Sequence, residues 1–577
     1  MGISSSAPWL NFYGDTPAHI EYPRKTIYQM VESAAQTYPK LNAYEFMGKA
    51  TTYETFLKKI DQVARALLAY GIEKGDRVTI CMPNSPQAVD MFYALNRIGA
   101  ISNMSHPLSA PGEIKFYLNF SHSKAVLILD QFYPKIAQIE EELEQDTKVI
   151  VATVKDELPF PLSVGYALTQ GRKIPKLPKK GNYILWKDFL ALAAKYKKAL
   201  PSQPMQYTDG ASILYSGGTT GTTKGILLSN LNFNALALQT IAASGFAPIN
   251  GLKMLSVMPV FHGFGLGIGI HTPLIAGACC ILVPQFTVKT YAELLVKKQP
   301  NIIPGVPTLF EALLRAENLE HADLSFLKGV FAGGDSLSIE LKKKVDTFLK
   351  AHNASVQIRQ GYGLTECVTA SCLTPKDYHR IGSIGVPFPD TYYKIVKPGT
   401  TEEVDPNIEG EICVSGPSVM LGYVDNPEET ENTLRRHTDN RVWLHTGDLG
   451  HMDEDGFIYF RQRIKRMIIS SGYNIYPGQL ENILDGHEKV LLSCVIGVKD
   501  PYKIQKVKAY VVLKPGIEPS DAIKQEILEY CKKHIAKYAM PYDIEFRSEL
   551  PKTLVGKVAY RVLEEEANEQ LSQQNPS

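Results

Sequence analysis

The sequence predicts a large α/β region with layered sheets, followed by a small α+β domain at its C-terminal end. In the N-terminal part, apolar residues at helical spacing alternate with short, continuous apolar runs. This alternation is typical of parallel strands connected by helices. Beyond Arg463–Arg466 the order changes to strand, helix, two strands and helix, which indicates a separate compact unit. The chain has 577 residues, and at about 150 residues per domain this predicts roughly three or four folding units.

Apolar spacing and cap residues define the first elements. Ile27–Tyr38 and Tyr53–Tyr70 are predicted helices, and Arg77–Met82 is a predicted buried strand. Ser85 is placed to cap the next helix, which ends at Gly99. The same pattern of strands recurs at Leu255–Pro259, Ala278–Val283, Asn301–Ile303 and Gly329–Phe331.

The C-terminal unit has its own series of elements. Strands are predicted at Met467–Ser470, Val490–Val498 and Lys508–Lys514, and helices at Pro477–Leu484 and Ser520–Ile535. We therefore expect a large domain over 1–465 and a small, mobile domain over 466–577. The Pro- and Lys-rich stretch 155–207 is expected to be a surface excursion without chemistry, and the tail after Ala567 is expected to be disordered.

Composition excludes several classes of partner. A net charge of +1 gives no electrostatic footprint for nucleic acid or for an anionic bilayer. Met254–Pro284 contains no Asp, Glu, Lys or Arg, but prolines and glycines interrupt it, so we expect a strand, a loop and a helix in the core rather than a membrane span. Eight cysteines without a CxxC spacing indicate buried thiols in a reducing compartment, hence a cytoplasmic protein without a metal-ligand cluster. Oligomeric state and peripheral membrane contact stay open.

A glycine- and threonine-rich run is the most informative motif of the chain. Tyr215–Gly225 combines backbone amides freed by glycine, several hydroxyl donors and one lysine between two apolar segments. Such a loop suits phosphate binding, although the order around its lysine excludes the Walker A pattern. The candidate ATP-binding residues in it are Ser216, Gly217, Gly218, Thr219, Thr220, Gly221, Thr223 and Lys224.

This loop resembles the signature loop of the adenylate-forming enzymes, which comprise acyl- and aryl-CoA synthetases, firefly luciferase and peptide synthetase adenylation domains. Five further segments resemble that family in the same order: Gln360–Glu366, Gly410–Tyr423, His445–Gly450, Arg463–Glu481 and Pro551–Val558. The resemblance implies ATP and coenzyme A as co-substrates, Mg²⁺ as the cofactor, and a small-molecule carboxylic acid as the substrate. It is strongest with bacterial long-chain fatty-acyl-CoA synthetases, which implies activation of a medium- or long-chain fatty acid to an acyl-adenylate and transfer to coenzyme A.

The resemblance also implies roles for single residues. Glu366 matches the metal-binding glutamate, Thr365 a phosphate contact, and Asp448 and Arg463 the ribose contacts. Lys557 matches the lysine that stabilises the transition state of adenylation, so Lys557, Thr365 and Glu366 are the predicted catalytic residues. The predicted nucleotide site also includes Gly333, Gly334, Gln360, Gly361, Tyr362 and Gly363, with Tyr362 stacking on adenine.

Further implied roles concern the acid and the second step. His262, Gly263, Gly334 and Gly363 are expected at the acyl pocket; His262 replaces an aspartate that pairs with the ammonium in amino-acid-activating relatives. The glycines after His262 either leave room for an acyl chain or allow close helix packing.

Lys465 matches the hinge about which the small domain rotates, although Ile464 and Arg466 depart from the usual hinge pattern. The predicted coenzyme A channel consists of Ser471, Gly472 and Tyr473. An aryl-CoA synthetase, a fatty-acyl-AMP ligase that loads a carrier protein and an inactive nucleotide-binding relative stay as alternatives.

Overall fold

A computed structural model describes most of the chain. It covers residues 3–144, 146–178, 181–202, 204–216, 223–285, 287–471, 473–500, 502–553 and 557–574. The predicted fold class is confirmed, because mixed α/β sheets with helices form the large N-terminal part and a smaller α+β unit follows. No helix in the described part of the chain is long and apolar enough to cross a membrane.

Two large sheets build the N-terminal part. The eight-stranded sheet has the order Gly422–Tyr423, Lys224–Ser229, Gly210–Ser216, Ile101–Met104, Arg77–Cys81, Ala125–Leu129, Lys148–Ala152 and Tyr183–Leu185. The nine-stranded sheet has the order Val386–Pro387, Cys372–Leu373, Ile358–Tyr362, Gly329–Ala332, Ile302–Gly305, Lys253–Ser256, Cys279–Leu282, Asn42–Phe46 and Lys49–Thr52. Most central pairs in both sheets are parallel, as expected for strands connected by helices.

The helices of this part agree with the predictions from cap residues. The predicted helix behind Ser85 spans Pro86–Ile98, with the Ser85 hydroxyl accepting from the Ala88 amide and Gly99 in a left-handed conformation at its end. The other helices of seven or more residues in the described N-terminal part are Ile27–Thr37, Tyr53–Ala69, Pro111–Phe120, Leu162–Leu168, Asn230–Ser244, Val288–Lys298, Pro307–Leu313, Ile339–Ala351 and Pro427–Thr433.

Two smaller sheets complete the fold. The first has the order Tyr392–Val396, Gly410–Ser415, Val442–Met452 and Leu434–Arg436, with Ile458–Arg463 pairing on Val442–Met452. The second has the order Tyr473–Ile475, Ile468–Ser470, Ile504–Leu513 and Val490–Asp500, with Asp543–Phe546 pairing on Ile504–Leu513, and helices Pro477–Asp485, Asp521–His534 and Tyr560–Gln574 pack with it.

The domain boundary stays a prediction, but the packing is compatible with it. One hydrophobic core runs from Trp9 to Ile458, and two separate clusters begin at Ile468 and Cys494. A boundary near residue 465 falls between these cores.

Two local expectations were wrong. The stretch 155–207 is more than a loose excursion, because Tyr183–Leu185 extends the eight-stranded sheet and Trp186 and Phe189 are buried. The expected disorder after Ala567 was also wrong. Helix Tyr560–Gln574 continues past that residue, since Leu563 and Ala567 pack into the cluster that contains Cys494.

The segment Met254–Pro284 lies in the core, as expected. It forms strand Lys253–Ser256, a π-helix over Phe264–His271, a short helix Thr272–Ile275 and strand Cys279–Leu282. The strands Ile302–Gly305, Gly329–Ala332 and Ile358–Tyr362 run parallel beside it, so their carboxyl ends reach one edge of the sheet. That edge carries the predicted nucleotide wall.

Candidate active site

Asp448 is a buried carboxylate with an unused hydrogen-bonding oxygen. It is 2 % exposed, and the Tyr362 hydroxyl donates to its Oδ2 at 2.6 Å. Its Oδ1 lies 3.4 Å from Nε of Arg463 and accepts no hydrogen bond from the described residues. Burial raises the pKa of Asp448, and Arg463 opposes this shift. A buried acceptor without a donor fits a ribose hydroxyl, so the site is compatible with the predicted ribose contacts.

A second carboxylate holds the turn before Asp448. Glu411 Oε1 accepts from the Gly447 amide at 3.0 Å, and Oε2 lies 2.9 Å from His445 Nδ1. Burial raises the pKa of Glu411, but these two contacts outweigh burial and hold that pKa below its ordinary value. Sequence reasoning missed Glu411, because only the pairing of strands Gly410–Ser415 and Val442–Met452 brings it to this turn.

The same strand pairing assembles a group of side chains that the sequence did not reveal. Cys413, His437 and His445 are buried, and one ligating atom of each lies within 4.8 Å of the others. His445 Nε2 lies 3.0 Å from His437 Nε2. Burial lowers the pKa of His437 to about 4 and raises that of Cys413. The described residues therefore include a group whose geometry could hold a metal ion, and the expectation that the chain has no metal-ligand cluster was wrong.

The described end of the phosphate loop at Lys224 contacts Glu429 and Tyr423. Ser216 pairs with Lys224 across the strands Gly210–Ser216 and Lys224–Ser229, and Thr223 directly precedes that pair. The Lys224 ammonium contacts the Glu429 carboxylate and lies 4.7 Å from the ring centre of Tyr423. Candidate residues Gly217, Gly218, Thr219, Thr220 and Gly221 lie outside the described residues.

Glu366 is joined to this group through Tyr423. The Tyr423 hydroxyl donates to Glu366 Oε1 at 2.9 Å, and the glutamate side chain is only partly buried. Mg²⁺ in phosphate-transfer sites is held by one or two carboxylates together with water and substrate oxygens. A half-exposed carboxylate beside a phosphate loop fits that requirement.

The chain makes a strained turn directly after Glu366. Val368 has φ +63° and ψ −57°, and the Thr369 amide donates to the Cys367 carbonyl at 2.7 Å. These values describe a γ-turn with positive φ, which is rare and costly for a β-branched residue. Thr365, which starts this segment, is buried. The turn fixes where Thr365 and Glu366 leave the sheet edge, and no sequence signal marks it.

An apolar cavity of about 690 Å³, counting its open mouth, adjoins the Asp448 site. Tyr362 both lines the cavity and bonds Asp448, so this side chain borders both sites. The predicted residues Gly333, Gly334, Gly361 and Gly363 line it together with Phe246, Met254, Phe264, Ile302 and Phe331. Gln360, in the strand Ile358–Tyr362, pairs with Ala332 of the cavity wall.

His262 and Gly263 lie outside the lining of this cavity, next to Phe264, which is part of it. An added Cβ on Gly263 would lie 1.7 Å from the Val368 carbonyl oxygen, and one on Gly265 would lie 2.0 Å from the Pro259 oxygen. Close packing therefore explains these two glycines. The acyl-pocket roles of His262 and Gly263 stay predictions.

Lys557 reaches the site from the small domain. An added Cβ on Gly334 would lie 3.8 Å from the lysine Cε. Burial lowers the pKa of Lys557, Asp335 opposes this shift and Arg463 adds to it. Burial and the nearby Lys557 lower the pKa of His262 to about 3. The structure thus brings Lys557, Gly334, His262 and Asp448 together.

The predicted hinge and channel residues lie in the first part of the small domain. Lys465 is in a 3₁₀ turn, Ile464–Arg466, between two strands. Ser471 is exposed; Tyr473 is 54 % exposed and stacks on Tyr538 with ring centres 4.5 Å apart. Gly472 lies outside the described residues. Among the described residues, neither Ser471 nor Tyr473 has a contact with Asp448.

Comparisons with known proteins agree with this geometry. The family model of the AMP-binding enzymes matches residues 31–424, and the model of the AMP-binding enzyme C-terminal domain matches 479–557. A long-chain-fatty-acid–CoA ligase of Bacillus subtilis (strain 168) is 35 % identical over 573 residues, covering 98 % of this chain and 99 % of the relative. One from Salmonella typhimurium is 32 % identical over 578 residues, covering 97 % and 98 %.

Solved structures show the same fold. ATP-bound MatB from Rhodopseudomonas palustris superposes with a TM-score of 0.80 at 25 % identity, covering 95 % of this chain and all of that one. An anthranilate CoA ligase in complex with anthranoyl-AMP superposes with a TM-score of 0.80 at 23 % identity, covering 97 % and 99 %. The chain belongs to the AMP-binding enzymes, the adenylate-forming family that its motifs resemble.

Proposed function

We propose that the protein joins a medium- or long-chain fatty acid to coenzyme A at the expense of ATP. The fatty carboxylate attacks the α-phosphate of ATP, pyrophosphate leaves, and the acyl-adenylate forms. The thiol of coenzyme A then attacks the acyl carbon and AMP leaves. The observation that carries the proposal is the position of Lys557 beside Gly334, where the ribose site at Asp448 and the apolar cavity meet.

Charge dominates the first step, because a carboxylate and a triphosphate repel each other. Lys557 supplies a cation at the point where the acid and the nucleotide meet. Glu366 would hold Mg²⁺, which would supply neutralisation of the phosphate oxygens. Asp448 and Arg463 orient the ribose, and Tyr362 forms a wall shared by nucleotide and acid.

The cavity supports an aliphatic acid. No Asp, Glu, Lys or Arg occurs among its described lining residues, so the ammonium of an amino acid would have no partner there. The relatives that match over nearly the whole chain are named long-chain-fatty-acid–CoA ligases. Both observations favour a hydrocarbon tail over a polar one.

The second step is supported by an aromatic face on the small domain. Ile504 pairs with Ser470, Ser470 also pairs with Tyr473, and Tyr473 stacks on Tyr538, so Ile504 lies near the stack. The exposed apolar side chains of this face are Ile469, Tyr473, Tyr502, Ile504, Tyr538 and Tyr542. Rotation at Lys465 would turn this face toward the site and line a passage for the pantetheine arm.

The cellular setting is also part of the proposal. All eight cysteines are buried and unpaired, as expected of thiols in a reducing compartment. We propose a cytoplasmic location on this ground.

The test separates the two steps. Acid-dependent exchange of pyrophosphate into ATP measures adenylation, and release of coenzyme A thioester measures the whole reaction. Acids from acetate to palmitate, with benzoate added, should show the highest kcat/KM for long chains. A preference for benzoate would indicate an aryl-CoA synthetase, and adenylate without thioester would indicate a carrier-protein ligase. Nucleotide binding without exchange would indicate an inactive relative.

A variant addresses the aromatic face. Tyr473→Ala should lower thioester formation by roughly two- to tenfold, because stacked aromatic contacts each contribute roughly 0.5–1.5 kcal/mol, and should leave pyrophosphate exchange unchanged. Tyr378→Ala, on an exposed tyrosine of the large domain, is the matched control. Equal loss of both half-reactions would contradict the assignment of this face to the second step.

A further inference from the structure

A group of sulfur and nitrogen ligands has no task in the proposed reaction. Cys413, His437 and His445 are buried, and one ligating atom of each lies within 4.8 Å of the others. We call these three residues the Cys-His-His group. A thiolate and two imidazoles are ligands that Zn²⁺ prefers, whereas Mg²⁺ and Ca²⁺ prefer oxygen. The Mg²⁺ ion of the proposed reaction is therefore a poor match for this group.

Three neighbouring strands of one sheet carry the group. Cys413 pairs directly with His445 between two antiparallel strands, so the two side chains share one face of the sheet. His437 directly follows the strand Leu434–Arg436, which pairs with the other edge of the strand that contains His445. Ligands held by paired strands need little rearrangement to bind an ion.

The two imidazole rings approach each other closely. His445 Nε2 lies 3.0 Å from His437 Nε2, and two nitrogen ligands of a tetrahedral Zn²⁺ ion lie about 3.4 Å apart for Zn–N bonds of about 2.0–2.1 Å. His437 Nδ1 is buried and has no hydrogen-bond partner among the described residues, although buried polar atoms normally have one. No described hydrogen bond at that nitrogen therefore opposes a small shift of the ring that would admit an ion.

The surrounding charges favour a cation at this position. His445 Nδ1 lies 2.9 Å from Glu411 Oε2, as in carboxylate–histidine–zinc arrangements, and a proton on Nδ1 leaves the Nε2 lone pair for a metal. One thiolate and the Glu411 carboxylate together balance the two positive charges of Zn²⁺. Lys394, which pairs with Cys413 across the sheet, has its ammonium 2.7 Å from the Asp439 carboxylate, so this cation is already balanced.

We propose that the Cys-His-His group binds one Zn²⁺ ion through Cys413 Sγ and one nitrogen of each histidine. Binding replaces the thiol proton, which passes to solvent. The ion stabilises the sheet and takes no part in the proposed reaction. It also braces the turn before Asp448, because Glu411 both contacts His445 and accepts from the Gly447 amide at 3.0 Å.

The direct test is the zinc content of the full chain, prepared without a polyhistidine tag, loaded with Zn²⁺ and freed of excess ion by gel filtration. The parent should retain about one zinc per chain. Adding Zn²⁺ to chelator-treated protein should raise its Tm by at least about 2 °C. Loading with Co²⁺ instead should produce the charge-transfer absorption of a cobalt–thiolate bond.

Substitutions identify the ligands. Cys413→Ala and His437→Gln should each lower the affinity for Zn²⁺ at least about 100-fold. Glu411→Gln keeps an acceptor for the Gly447 amide and should lower the affinity about 10- to 100-fold. Cys81→Ala, at a buried cysteine of the eight-stranded sheet, is the matched control and should bind Zn²⁺ as the parent does. Circular dichroism shows whether each variant folds.

Less than about a tenth of a zinc per chain after loading would overturn the proposal, as would a zinc content that Cys413→Ala leaves unchanged. A cobalt spectrum of the parent without the thiolate band would overturn it even if the variants failed to fold. Copper or iron retained in preference to zinc would overturn the identity of the ion. Metal binding needs no substrate, so zinc binding without acid-dependent pyrophosphate exchange would refute only the proposed function.

Discussion

Replacing Lys557 by methionine tests the site most directly. Methionine keeps an unbranched side chain of similar reach and removes the ammonium. Lys557 lies next to Gly334, and burial lowers its pKa while Asp335 and Asp448 favour its charged form. The substitution should therefore remove a cation from a partly desolvated site without leaving a buried charge unpaired.

The expected magnitude follows from distance and screening. Two unit charges about 4 Å apart interact by about 4 kcal/mol at an effective dielectric constant near 20. A positive charge that acts only as the phosphate and carboxylate meet should contribute most of this to the transition state, which corresponds to roughly a thousandfold in rate.

Pyrophosphate exchange, measured with palmitate, gives the rate of adenylation. We expect Lys557→Met to lower it by about three orders of magnitude. Thioester formation from isolated palmitoyl-AMP should stay within a few-fold of the parent. Lys552→Met is the matched control, because Lys552 is exposed and lies across a β-bridge from Val558. If Lys557→Met kept more than a tenth of the exchange rate, or lost both half-reactions equally, the role assigned to this ammonium would be refuted.

Two further substitutions test binding and stability. Asp448→Asn should raise the KM for ATP about 10- to 100-fold, because a hydrogen bond to a charged group contributes about 1.5–3 kcal/mol; an unchanged KM in the exchange assay would contradict the ribose contact. Asp485→Asn should stabilise the protein above neutral pH, since burial raises the pKa of Asp485 to about 7. The folded parent keeps this proton between about pH 4 and 7, where the unfolded chain has lost it, so parent stability falls as pH rises. The gain, at most about 4 kcal/mol, should appear in thermal unfolding near pH 8 and vanish near pH 4; a pH-independent gain would contradict it.

Local chemistry made part of the fold predictable. The helix behind Ser85 was predicted because its cap hydroxyl, its first proline and Gly99 all lie within one short segment. The C-terminal helix Tyr560–Gln574 was not predicted. Its stability comes from Leu563 and Ala567, which pack against strands about seventy residues earlier in the chain, and its polar surface looks disordered in isolation. Tertiary packing decided between two locally reasonable conformations.

The residues of the site also divide into those that local sequence could identify and those that it could not. Candidate residues such as Asp448 and Glu366 could be named from the sequence because the short patterns around them resemble those of the adenylate-forming enzymes. Their partners could not be named. Tyr423 reaches Glu366 through a strand pair, Tyr423 with Ile226, and Glu411 reaches the turn at Gly447 through another. Single-sequence patterns carry no information on such long-range register.

The small domain has one chemical task on each of two surfaces. Lys557 already lies beside Gly334, whereas Tyr473 and Tyr538 form an exposed stack. Exposed aromatic surface is unfavourable in water, so it indicates an arrangement in which something covers it. In the proposed second step Lys557 leaves before that face enters, so the charge that is proposed to help the carboxylate onto phosphate is removed before the thiol arrives. On this proposal the small domain keeps the two half-reactions in order, since its two surfaces cannot occupy the same site at once.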